Sequence, residues 1–146
     1  MQPYDILFFK STDLLGKLIA TFTRSKYCHV GILMPDKKTL FDINIGKRSN
    51  IVKLVNIKNI EAYRVNGIIY GHNVDKWIIN HFGLKYDIGE VIKCIMGINT
   101  PDDDNKFICS SLVLDFLKNC TNVKIPPNTY IVSPQDLIDL NLLHRV

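Results

Sequence analysis

The stretch Tyr27-Cys28-His29-Val30-Gly31-Ile32-Leu33-Met34, then Pro35-Asp36-Lys37-Lys38, then Thr39-Leu40-Phe41-Asp42-Ile43-Asn44-Ile45 decides the fold. Two apolar runs bracket four turn-forming residues, so the chain folds back as an antiparallel hairpin with strands over 27–34 and 39–45. With Asp36-Lys37 at the turn, Gly31 stands opposite Asp42 and His29 opposite Asn44. Asp42 is then a diagonal neighbour of His29 on one face, and Gly31 leaves space between them.

Working outward, Asp5 to Phe9 reads as a buried strand, closed by the polar Lys10-Ser11-Thr12. Leu14, Leu15, Leu18, Ile19 and Phe22 recur at helical spacing and predict an amphipathic helix over 13–23. Short strands follow near Ile51–Val55 and Glu61–Val65. The second half is mostly helical: Val74, Trp77, Ile78, His81 and Phe82 mark one helix, and Ile88, Val91, Ile92, Ile95 and Met96 another. After the polar loop Asn99–Lys106, Leu112, Val113, Phe116 and Leu117 outline a helix starting at about Cys109. Ser133-Pro134-Gln135-Asp136 carries the cap, first-turn proline and early acid of a last helix. The pattern implies one α+β domain over residues 1–146, an antiparallel sheet packed against helices.

Composition narrows the function classes. With 47% hydrophobic and 22% charged residues the chain is globular. Its apolar runs stop well short of the ~20 residues that span a bilayer. The start has no basic, cleavable leader, so the expected location is cytoplasmic, or the host cytoplasm or virion if the source is viral. Lys is preferred over Arg, with many Ile and Asn, which suggests AT-rich coding as in many viruses and some bacteria. The net charge of +4 is scattered among acids, so nucleic acid is not an expected partner. Lys10, Lys17 and Arg24 recur every seven residues along one side of the first helical region, which leaves peripheral membrane contact open.

Four cysteines, Cys28, Cys94, Cys109 and Cys120, form no Cys-x-x-Cys pair, so neither a metal nor another cofactor is expected. Thiol chemistry needs the thiolate, and the free pKa of about 8.5 falls beside a helix N-terminus and an imidazole. Cys120 falls at a helix C-terminus, and Cys94 lies in mid-helix among Ile and Val. Cys28 and His29 are adjacent on a strand and point to opposite faces. Only Cys109 sits where a polar loop enters a helix, although it shares a face with Leu112, Val113 and Phe116 as a core thiol would. Of the histidines, His29 lies in an apolar strand and needs a partner, which Asp42 could supply; His72, His81 and His144 read as solvated or locally satisfied.

These residues resemble the circularly permuted branch of the NlpC-like papain-fold hydrolases, which includes YiiX-like proteins and relatives of lecithin retinol acyltransferase. Tyr4-Asp5-Ile6-Leu7-Phe8-Phe9 is similar to the family's opening strand, and Tyr27-Cys28-His29-Val30-Gly31-Ile32 to its histidine motif, usually with Ser in place of Cys28. Lys85-Tyr86-Asp87 resembles a later Tyr-Asp element. Phe107-Ile108-Cys109-Ser110-Ser111-Leu112-Val113 resembles the nucleophile helix, commonly Cys-Ser-Glu-Leu-Val, with Ser111 in place of the acid. His29 precedes Cys109, the order that permutation requires.

The resemblance implies a permuted papain-like fold and a cysteine hydrolase or acyltransferase, with Cys109 as nucleophile, His29 as general base and Asp42, or Asn44 in its stead, as the third member. Expected substrates are peptides, amides or acyl lipids. The alternatives are an inert binding module on the same fold and a peripheral lipid-binding protein.

Overall fold

The computed structural model describes residues 1–10, 24–55, 57–89, 106–129 and 133–146. The helix expected over 13–23, most of the one through Val91–Met96, Cys94 and the loop 99–105 lie outside the described residues.

Ile6–Phe9 (β1) is flanked by His29–Leu33 (β2) and Ile60–Val65 (β5), both antiparallel, with Ile6 across from Ile32 and Tyr63 and Phe8 across from Val30 and Glu61. Thr39–Asp42 (β3) returns from β2, and Asn50–Lys53 (β4) pairs with β3. Leu143–Arg145 (β8) closes the other side on β5. The resulting six-stranded antiparallel sheet has the order β4-β3-β2-β1-β5-β8. Its central strand is apolar at nearly every position because both faces are covered: Ile6 and Phe8 enter the main core, while Leu7 joins Leu33 and Leu40 in a second cluster. The carboxylate that precedes β1, on buried Asp5, is held by both arms of Arg64 on β5, at 2.9 and 3.1 Å.

Gly71–His81 (α1), Cys109–Cys120 (α2) and Pro134–Asp139 (α3) complete the α+β architecture. Helix α1 ends where Gly83 takes φ +79°, a left-handed conformation that suits glycine. Helix α2 packs on β2 and between α1 and α3, and its residues are buried except along the Asp115, Lys118 and Asn119 side. Helix α3 starts as its sequence predicts: the Ser133 N–H donates to Asp136 Oδ2 at 2.7 Å, and Asp136 N–H donates to Ser133 Oγ.

Three features depart from the sequence expectation. β8 and the short parallel pair Lys85–Tyr86 (β6) with Lys106–Phe107 (β7) were not foreseen. The strand expected over 39–45 stops at Asp42, because the chain turns at 44–47 with Gly46 at φ +73° and the Lys47 N–H on the Asn44 carbonyl. Asn44 therefore does not pair opposite His29. No helix of the described residues is long and apolar enough to cross a membrane.

Candidate active site

His29 opens β2 and Asp42 ends β3, so the hairpin register governs their meeting. The observed pairs Ile32–Phe41 and Leu33–Leu40, continued by one step, set Gly31 across from Asp42, the expected register. A Cβ on Gly31 would lie 3.0 Å from the Asp42 Cβ and 2.8 Å from Leu40, so glycine is what permits this close approach. Across the gap, His29 Nε2 is 2.8 Å from Asp42 Oδ2. Asn44 Nδ2 donates to the same Oδ2 at 3.1 Å. The Phe9 ring lies against the imidazole, with centroids 5.3 Å apart.

Cys109 is the first residue of α2, and its thiol lies near enough to the His29 ring to interact with it electrostatically. With Nε2 on Asp42, Nδ1 is the ring nitrogen that remains for a second partner. Burial pushes the imidazolium towards neutrality, but the hydrogen bond to Asp42 and then the interaction with Cys109 outweigh it and raise the His29 pKa from 6.5 to about 10. The structure thus sets Asp42 on the His29 ring and Cys109 within electrostatic range of it. The start of α2 is closed by Ser111, whose hydroxyl accepts the Ile108 N–H at 3.0 Å and sits 3.2 Å from the Ile108 carbonyl.

The other two described thiols have different surroundings. Cys28 Sγ lies 3.4 Å from the Phe9 carbonyl. Cys120 is fully buried at the end of α2, and desolvation, with Asp115 nearby, pushes its thiol up to about 12.

His81 has a structure that sequence reasoning missed. Its ring stacks on Trp77 at 4.3 Å, Nδ1 donates to the Trp77 carbonyl, and Nε2 lies 3.0 Å from Asp115 Oδ2, which also accepts the Trp77 indole N–H at 2.7 Å. The Trp77/His81 spacing of one helical turn was visible, but Asp115 comes from another helix. Of the cations considered for membrane contact, Lys10 is paired with buried Glu61, which also accepts from Tyr27 Oη and Lys26. Lys10 first, then Tyr27, hold the Glu61 carboxyl down to about 2. Lys17 lies outside the described residues.

No family model and no curated protein matches the chain. Among solved structures, it is similar to the crystal structure of the metalloprotein YiiX from Escherichia coli O157:H7, of DUF1105, with a TM-score of 0.71 over 99% of this chain and 96% of that one at 21% identity. Among the described residues of the present chain, no three His, Cys, Asp or Glu side chains converge as metal ligands would. What the likeness shows is a shared fold: the α+β arrangement of this chain is that of YiiX along nearly its whole length.

Proposed function

We propose that the chain is a cysteine-dependent hydrolase or acyltransferase of permuted papain-like type, with Cys109 as nucleophile, His29 as general base and Asp42 as the group that orients His29. One observation carries the reading: a single imidazole holds a buried carboxylate at 2.8 Å through Nε2 and lies within electrostatic range of the Cys109 thiol at the start of α2. That is the arrangement of nucleophile, base and orienter that acyl transfer requires.

In this scheme His29 holds the proton taken from Cys109, and its raised pKa favours the imidazolium partner of a thiolate. The sulfur attacks a carbonyl carbon, and the carbonyl electron pair moves to oxygen. The backbone N–H at the start of α2 is suited to that oxyanion. Collapse expels the amine or alkoxide, which takes the proton from His29 and leaves a thioester on Cys109. Water or another acceptor, deprotonated by His29, then releases the acyl group. The substrate class is a peptide, an amide or an acyl lipid, and the reducing cytoplasm is the setting in which such a thiol persists.

The test is labelling of the folded protein with acyl-type electrophiles at neutral pH, followed by peptide mapping. Cys109 should be modified well ahead of Cys28, Cys94 and Cys120, and His29→Ala should slow that modification while circular dichroism stays native. Equal modification of the four thiols would make this a binding module on the same fold, and a Cys109 indifferent to His29→Ala would overturn His29 as the base.

A further inference from the structure

The Asp42 carboxylate receives two donors on one oxygen, His29 Nε2 at 2.8 Å and Asn44 Nδ2 at 3.1 Å. Asn44 is held apart from the sheet. The chain leaves β3 after Asp42, and the turn closed by the Lys47 N–H on the Asn44 carbonyl, at 2.9 Å, fixes the Asn44 backbone. From there its amide reaches back two residues to Asp42. On the other side Asp42 is packed over Gly31, where even a Cβ would sit 3.0 Å from its own.

We infer that Asn44 is a positioning residue of the reaction: its amide locks the rotamer of Asp42 so that Oδ2 faces His29. The inference rests on the reading of Cys109, His29 and Asp42 as the site. A short carboxylate side chain has several staggered rotamers open to it, and only a fixed one keeps an acceptor on the imidazole. The donor is also of the right kind. A Lys or Arg in this place would neutralise Asp42 and weaken its hold on an imidazolium, whereas a neutral amide orients the carboxylate and leaves its charge for His29. This gives Asn44 a different part from that of a substitute third member, because it contacts the carboxylate and acts on the imidazole only through it.

The experiment is a double-mutant cycle on the full chain: Asn44→Ala and Asp42→Ala, singly and together. Two quantities are read, the alkylation rate of Cys109 with iodoacetamide and the titration of the His29 ring by NMR, in variants with native circular dichroism. A hydrogen bond from an amide to a charged carboxylate corresponds to a loss of up to about 10- to 100-fold in rate for Asn44→Ala. The His29 titration midpoint should fall with it. In the Asp42→Ala background, adding Asn44→Ala should change neither quantity. The same fold-loss in both backgrounds overturns the inference, since Asn44 would then act without Asp42. A His29 midpoint that rises in Asn44→Ala also overturns it, because the amide would be competing with His29 for Oδ2. If Asp42→Ala alone leaves both quantities native, the orienting role of Asp42 itself falls, and that of Asn44 with it.

Discussion

Replacing Asp42 by Asn keeps the size of the side chain and removes the charge beside His29. The native imidazole is raised from 6.5 to about 10, against the pull of burial, chiefly by the Asp42 hydrogen bond and then by Cys109. A hydrogen bond to a charged group is worth about 1.5–3 kcal/mol, and one pKa unit about 1.4 kcal/mol, so the variant should titrate about one to two units lower. Because the folded-state pKa lies above the unfolded one, the stabilisation from His29 is fully present below about 6.5 and is lost as pH rises through about 10. Asp42→Asn should therefore cost most stability on the acid side of that window and nothing once His29 is neutral in both proteins. Long-range proton–nitrogen NMR of the imidazole gives the midpoint directly, and urea denaturation across the window gives the stability difference. A native His29 that titrates near 6.5, or a midpoint unmoved by Asp42→Asn, would refute the argument that this carboxylate holds the imidazolium.

Two other perturbations probe the scaffold. Gly31→Ala puts a methyl 2.8 Å from Leu40 and 3.0 Å from the Asp42 Cβ, an overpacking that should cost about 1–3 kcal/mol in urea denaturation and slow Cys109 alkylation by moving Asp42. An alanine tolerated without either effect would show that β2 and β3 separate freely there. At Asp115, burial raises the carboxyl pKa, but the bonds from His81 and Trp77 outweigh it and the net shift is downward. Its stabilisation is thus present above the unfolded carboxylate value of 3.8 and is lost as pH falls through the lower folded one. Asp115→Asn should cost about 1–3 kcal/mol near neutrality, with the gap to the native protein closing in acid; a gap independent of pH would assign the loss to packing.

Much of the fold was legible because its signals are local. The run Ile6-Leu7-Phe8-Phe9 is a strand because both faces of β1 are covered, and such a run needs no partner to be recognised. The turn at Asp36-Lys37 set the β2–β3 register, since a hairpin register follows from its turn. Ser133-Pro134-Gln135-Asp136 announced α3 because a capping box is made of its own residues. What escaped depends on distant chain. β8 is three residues long and owes its existence to β5, and β6 and β7 consist of two residues each, paired with one another while Lys85 also bridges Arg48. Asp42 ending β3 was likewise hidden, because Ile43 and Ile45 continue the apolar alternation past the point where the backbone turns.

The site divides along the same line. The His29–Asp42 contact was available from the hairpin alone, because Gly31 lies between them in sequence register and has no side chain to block it. Cys109 could be ranked above Cys28 and Cys120 from helix position, but no local pattern joins it to His29; the order of the two motifs and their resemblance to a permuted hydrolase family supplied that link. Ser111 stood as the departure from that family, where an acid is usual. The structure supplies a physical account of the exchange. An acid at the third helical position reaches back to the backbone of the cap residue, and the Ser111 hydroxyl reaches the same Ile108 N–H at 3.0 Å from a shorter stem. The helix start that carries Cys109 is therefore closed by a neutral group, and Ser111 adds no negative charge there to oppose a thiolate.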